Sequence, residues 1–111
     1  MDPAMQKFVF LLIMILAVTA EVVGDFFFKK WSISDNIELL NFGIIFYFTG
    51  ALMWALSLKF ESLSKAIIVF VLMTLVLGVA LGVIVFKEEL SLANKFGLVF
   101  AVLGLVLIEA F

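Results

Sequence analysis

The stretch from Phe8 to Phe28 reads FVFLLIMILAVTAEVVGDFFF, and its only charged residues are Glu21 and Asp25. An α-helix needs about 20 apolar residues to cross the roughly 30 Å of hydrocarbon in a bilayer. This stretch is therefore predicted to be a membrane-spanning helix. Its two acids depart from the apolar pattern and are the first candidates for function.

The remainder of the chain repeats the same pattern. The 111 residues are 67% hydrophobic and 14% charged, a balance far from that of a soluble domain. We therefore expect an all-α integral membrane protein with four transmembrane helices per protomer, running up-down-up-down in one domain over residues 5–111. The helices are predicted at about residues 8–28, 39–58, 63–86 and 94–111.

Composition also excludes several classes of function. The net charge is -2, no arginine is present and no basic cluster occurs, so nucleic acid is not an expected partner. Histidine and cysteine are both absent, which removes the usual metal ligands and leaves carboxylates as the groups that titrate near neutral pH. We predict no enzyme activity, no metal and no cofactor.

The N-terminal segment has two further interpretations. Residues 1–4 are interpreted as a cloning scar, with Met5 as the natural start. Lys7, the apolar run and the ending Val18-Thr19-Ala20 also resemble a secretory signal with its cleavage site. The apolar character resumes after Glu21, which favours a membrane span.

Glu21 is the residue most indicative of function. It lies about three residues past the middle of the first predicted helix, roughly 4 to 5 Å from the bilayer midplane. An ionised carboxylate at that depth is costly, so Glu21 is expected to contact a partner or a water-filled cavity and to exchange protons. The structural alternative is a protonated glutamate that hydrogen-bonds a neighbouring helix.

Asp25 and Gly24 follow Glu21 at the i+4 and i+3 positions. One helical face therefore carries two acids beside a glycine, where a ligand or another backbone can approach closely. This arrangement suggests a polar pathway. The alternative is an ion pair between Asp25 and Lys29, one helical turn further on.

Other residues have a predicted role within the four helices. Tyr47 lies near the middle of the second helix, where its phenol needs a hydrogen-bond partner, and Glu21 is the expected one. Trp31 and Trp54 are predicted to be interfacial anchors. Gly78 and Gly82 form a Gly-x-x-x-Gly pair that indicates either a close-packing face or a bend.

The connections between helices carry capping signals and lysines. Asp35 and Glu38 have capping-box spacing, and Ser62 or Ser64 and Ser91 are candidate caps of helices 3 and 4. The lysines are divided almost evenly between the two sides of the membrane, with Lys7, Lys59 and Lys65 on one side and Lys29, Lys30, Lys87 and Lys95 on the other. So small an orienting bias predicts insertion in both orientations and an antiparallel pair of copies.

The segment Ala20-Glu21-Val22-Val23-Gly24, with Lys29 eight residues after the glutamate, resembles the small multidrug resistance family of the drug/metabolite transporter superfamily. The resemblance extends over nearly the whole chain. It places Tyr47 on the family's binding-site tyrosine, and Gly97 and Gly104 on the dimerisation glycines of helix 4. These glycines are seven apart and so share one helical face.

The resemblance implies an antiparallel homodimer in the inner (plasma) membrane, with one site shared by two protomers. In that family the two membrane glutamates bind either protons or a cationic substrate, and this competition drives exchange. Here the role falls to Glu21, and a small-molecule substrate, protons and the lipid bilayer are the expected partners.

The chain also departs from the family pattern. Phe70 stands where the family has a tryptophan, Ile67 where it has a tyrosine, and Asp25 at a position usually uncharged in the drug exporters. Phe70 retains a π surface for a cation, although a weaker one than tryptophan. These departures leave open a divergent transporter of polyamines, metabolites or lipid-linked sugars.

Two functions other than transport by a self-sufficient dimer remain as alternatives. One is a non-transporting accessory protein or half of a heterodimer, against which the balanced lysines argue. The other is a proton-translocating rotor subunit, which would pack through repeated glycines around its acid, whereas helix 1 offers only Ala17, Ala20 and Gly24.

Overall fold

The computed structural model describes residues 1–110, which form four α-helices. They are α1 (Pro3–Ser34), α2 (Ile37–Ser57), α3 (Leu63–Ile84) and α4 (Leu92–Ala110). All four are long and apolar enough to cross a membrane. The predicted all-α fold with four membrane helices is confirmed, and the predicted end of helix 4 at Phe111 lies outside the described residues.

The first helix is longer at both ends than its apolar stretch. It begins at Pro3, and the Asp2 carboxylate accepts a hydrogen bond of 2.7 Å from the Met5 N–H. It ends at Ser34, and its C-cap Asp35 has a left-handed backbone (φ 59°) and donates its N–H to the Trp31 carbonyl at 2.7 Å. At about 1.5 Å per residue, its 32 residues span about 48 Å, well beyond the hydrocarbon.

The prediction that Asp35 caps α2 was wrong, because Asp35 adopts the left-handed conformation that ends α1. The N-cap of α2 is Asn36, whose side chain accepts a bond of 3.1 Å from the Glu38 N–H. The predicted serine caps are confirmed. Ser62 accepts from the Lys65 N–H at 3.4 Å, and Ser91 accepts from the Asn94 N–H at 3.1 Å.

The four helices form a thin layer with a small core. The most extensive helix contact is between α1 and α2, and α3 packs against both α1 and α4. The buried core consists of Phe10, Met14 and Val18 from α1 and Ala66 and Val69 from α3. The molecule measures 48 × 34 × 18 Å, so its thickness is less than two helix diameters of about 10–12 Å. Most large apolar side chains therefore point outward, as expected for a protein surrounded by lipid.

The third helix continues without interruption through Gly78 and Gly82. A Cβ atom on Gly78 would meet nothing within 4 Å, and one on Gly82 would lie 2.5 Å from the Glu88 Oε1 atom. Within residues 1–110, therefore, neither glycine packs closely against another helix. Both line a cavity on the surface of α3 that faces Asp25 of α1, and Glu88 fills the space beside Gly82.

Candidate functional site

Glu21 lies half-buried at the contact between α1 and α2, directly against Gly50. A Cβ atom on Gly50 would lie 2.7 Å from the Glu21 Cγ atom and 3.1 Å from the Ala17 carbonyl oxygen. The missing side chain at Gly50 is thus what allows the glutamate to lie between the two helices. This close approach of backbones at glycine is the usual means of packing helices in a membrane.

One turn further along α1, Gly24 is covered by the ring of Tyr47. A Cβ atom on Gly24 would lie 2.5 Å from the Tyr47 Cδ2 atom and 3.1 Å from the Gly43 carbonyl oxygen. The Tyr47 ring also packs on Phe28, with 5.0 Å between ring centroids. Gly43, Tyr47 and Gly50 are spaced four and three residues apart, so they form one stripe of α2 that packs along the Glu21 face of α1.

The Tyr47 hydroxyl donates its hydrogen bond to the Oδ1 atom of Asp25. The expectation that Glu21 is the partner of this phenol was therefore wrong. Asp25 lies one helical turn beyond Glu21, and the length of the tyrosine side chain carries its hydroxyl to that next turn. The Tyr47 ring still lies over Gly24, between Glu21 and Asp25 in the sequence of α1. The structure thus brings Glu21, Gly24, Asp25 and Tyr47 into one group.

The alternative ion pair between Asp25 and Lys29 does not form. The Lys29 Nζ atom instead lies 3.5 Å from the Oε2 atom of Glu88, in the connection between α3 and α4. A cavity of about 260 Å³ separates these elements, and its lining consists of Asp25, Lys29, Gly78, Leu81, Gly82, Phe86 and Glu88. Within residues 1–110, no salt bridge reaches Asp25, so its only strong partner there is the Tyr47 hydroxyl.

Phe70 lies away from this group, in contact with Trp54. The two ring centroids are 4.9 Å apart, and both side chains pack against the buried core. Trp54 is only partly buried, so its role as an interfacial anchor stays a prediction beside its contact with the core. Trp54 is one helical turn from Gly50, so this aromatic pair begins one turn from Glu21. Ile67 is exposed on the surface of α3.

The two glycines of α4 differ in their surroundings. Gly97 is exposed, and a Cβ atom there would meet nothing within 4 Å. Gly104 is half-buried, and a Cβ atom there would be in ordinary contact, 3.6 Å from Leu72 of α3. Gly97 therefore leaves an open gap in a groove between α3 and α4 that Leu75 and Val79 also line, whereas Gly104 is partly covered within the protomer.

Sequence reasoning missed three contributors to this site: Gly50, Glu88 and the packed position of Trp54. Gly50 could have been noticed, because it lies on the same face of α2 as Tyr47. A single sequence does not show, however, which residues of α1 pack against that face. Glu88 comes close to α1 only because the chain turns back after α3, with Lys87 in the left-handed conformation (φ 55°).

The chemistry available at this site is that of carboxylates and a phenol in an apolar setting. Such groups take up and release protons, and they bind cations when ionised. In the part of the chain that the structure describes, no group of three His, Cys, Asp or Glu side chains is placed to hold a metal ion.

Three curated proteins are similar to this chain over nearly its full length. The quaternary ammonium compound-resistance protein QacG of Staphylococcus sp. (strain ST94) is 31% identical over 105 residues, covering 90% of this chain and 94% of that protein. QacH of Staphylococcus saprophyticus is 30% identical over 108 residues, with the same coverage. QacC of Staphylococcus aureus is 30% identical over 103 residues, covering 88% of this chain and 92% of that protein. No family model and no solved structure matches the chain.

Proposed function

The chain belongs to the small multidrug resistance family of the drug/metabolite transporter superfamily, and from this we propose that it exchanges protons for small organic cations across the membrane. It is a multi-pass inner-membrane protein with four transmembrane helices. The relatives are named for resistance to quaternary ammonium compounds, so lipophilic cations of that class are the substrates we expect first.

The observation that carries this proposal is the position of Glu21. Its carboxylate lies within an apolar span, between two helices that approach closely at Gly50. A bare negative charge is costly in such a place, so the carboxylate either takes up a proton and becomes neutral or stays ionised beside a compensating cation. Binding of a cationic substrate and binding of protons then exclude each other, and this competition couples the two fluxes.

We propose that two protomers share this site as an antiparallel homodimer. The thin shape of the protomer leaves its helices exposed on both sides of the layer, and the open gap at Gly97 allows a second helix to approach α4 closely. Gly104 would contribute from the same helical face, beside Leu72. The near balance of lysines between the two membrane sides supports insertion in both orientations.

Insertion in both orientations gives a direct prediction. The chain has no cysteine, so a single cysteine introduced near either terminus becomes the only thiol. In intact cells we expect a membrane-impermeant maleimide to label roughly half of the molecules at each position, because the orienting charge bias is small. Four spanning helices place both termini on the same side of the membrane, so labelling of all molecules at both positions, or of none at both, would contradict dual insertion.

The proposed exchange itself is tested in liposomes containing the purified protein. With an acidic interior, we expect a tetraalkylammonium salt to accumulate inside as protons leave, and a protonophore should abolish the accumulation. In detergent, addition of the same salt should acidify an unbuffered solution, because a cation that binds at Glu21 displaces protons. Accumulation that is unaffected by the protonophore would contradict proton coupling.

A second group of substrates is favoured by one observation. Asp25 places another carboxylate one turn from Glu21, next to a cavity and without a salt bridge in residues 1–110. Cations that carry two positive charges, such as polyamines, are therefore a second candidate cargo.

A further inference from the structure

Two carboxylates of one protomer lie in different parts of the site. Glu21 is packed against Gly50 between α1 and α2, whereas Asp25 borders the cavity of about 260 Å³ between α1, α3 and the connection to α4. They are one helical turn apart on α1, a separation of about 5–6 Å between Cβ atoms. A ligand group bound beside Asp25 therefore need not displace one bound beside Glu21.

The cavity beside Asp25 has the lining expected for an organic cation. Asp25 contributes a carboxylate held in place by the Tyr47 hydroxyl, and Phe86 contributes an aromatic ring. Carboxylates attract an ammonium group by charge, and aromatic faces attract it through their quadrupole. Gly78 leaves room on α3, since a Cβ atom there would meet nothing within 4 Å.

The nearest cation on α1 is held away from Asp25. Lys29 is one helical turn from Asp25, a spacing at which such residues commonly pair. Its Nζ atom instead lies 3.5 Å from the Glu88 Oε2 atom, and Gly82 makes room for the Glu88 side chain because a Cβ there would lie 2.5 Å from Oε1. Glu88 thus holds the lysine at the rim of the cavity, and the Asp25 charge is left for a ligand.

From this geometry, and resting on the proposed exchange at Glu21, we infer that Asp25 forms a second cation subsite that selects substrates with two positive charges. Glu88 is a positioning residue for this subsite, because it keeps Lys29 from occupying it. The ligand class is an organic dication with a short linker, with one ammonium group beside Glu21 and the other in the Asp25 cavity.

The test compares a tetraalkylammonium salt with a bis(trialkylammonium) alkane that has the same alkyl groups and a short linker. Exchange of both is measured in the same liposomes, and the readout is the ratio of their kcat/KM values. Asp25→Asn is expected to lower the dication-to-monocation ratio by at least about tenfold, equivalent to the loss of one favourable charge interaction. Asp25→Glu, which keeps the charge, is expected to retain most of the preference.

Glu88→Gln is expected to lower the same ratio, because the released Lys29 can then pair with Asp25. The double variant Glu88→Gln with Lys29→Gln should restore the preference, since the competing cation is gone. If the Lys29–Glu88 pair had only a structural role, the double variant would not restore the dication-to-monocation ratio. Failure of the double variant to recover the ratio would overturn the role of Glu88.

These outcomes separate the inference from the function on which it rests. If the wild-type protein exchanges neither salt, the proposed transport function is wrong. If the wild type exchanges both, but Asp25→Asn lowers both equally or leaves their ratio unchanged, the second subsite is wrong while the exchange at Glu21 stands.

Discussion

Glu21→Gln is expected to reduce proton-coupled exchange to background, a loss of at least about 100-fold, as is typical when the group that carries the proton is removed. Glutamine has nearly the same shape as glutamate, so its side chain can still lie against Gly50 between α1 and α2. It cannot release a proton or supply a negative charge. The variant should therefore fold, remain in the membrane and bind organic cations poorly.

Two measurements check this prediction. The first is accumulation of a tetraalkylammonium salt in liposomes with an acidic interior, and the second is proton release when the same salt is added to protein in detergent. The matched control is Glu38→Gln, which makes the same chemical change at an exposed position in the first turn of α2. Coupled uptake that is undiminished in Glu21→Gln would contradict the proposed mechanism.

The membrane fold was predictable because hydrocarbon leaves the backbone few choices. Without water to satisfy its N–H and C=O groups, an apolar segment of this length forms a helix. Four such segments with short connections therefore predict four helices. The ends of α1 were less predictable, because the helix continues through polar residues to Asp35, where a left-handed backbone conformation ends it.

The composition of the site was predictable only in part. Helical periodicity places Glu21, Gly24 and Asp25 together on α1, but it does not reveal how α2 is aligned along that helix. The alignment is set by close contacts at Gly43 and Gly50, and it carries the Tyr47 hydroxyl to Asp25 instead of Glu21. A difference of one helical turn, about 5.4 Å, is sufficient to change the partner.

The surroundings of Asp25 depend on contacts between distant parts of the chain. The spacing of Asp25 and Lys29 indicated an ion pair, and local sequence contained nothing against it. The connection after α3 places Glu88 within 3.5 Å of Lys29, which could be known only from the fold. A half-exposed pair of this kind contributes little stability. Its effect on the site is to hold the Lys29 ammonium group beside Glu88 and away from Asp25.

The second large effect is expected from Gly50→Ala, which adds one methyl group at the contact between α1 and α2. The new Cβ atom would lie 2.7 Å from the Glu21 Cγ atom and 3.1 Å from the Ala17 carbonyl oxygen. The glutamate side chain can rotate away, but the carbonyl belongs to the backbone of α1 and yields only if the helices separate. Overpacking of this kind typically costs about 1–3 kcal/mol.

We therefore expect Gly50→Ala to lower exchange of a tetraalkylammonium salt by roughly 5- to 150-fold, because displacing Glu21 costs about 1–3 kcal/mol and each 1.4 kcal/mol is a factor of ten. The control is Gly78→Ala, which adds the same methyl group within α3 where nothing lies within 4 Å. Gly78 borders the Asp25 cavity, so the comparison uses a monocation, whose exchange depends on Glu21. On helix propensity alone, both variants should gain up to about 1 kcal/mol. Only the close contact at Gly50 predicts a loss, so equal exchange by the two variants would show that Glu21 does not depend on this glycine.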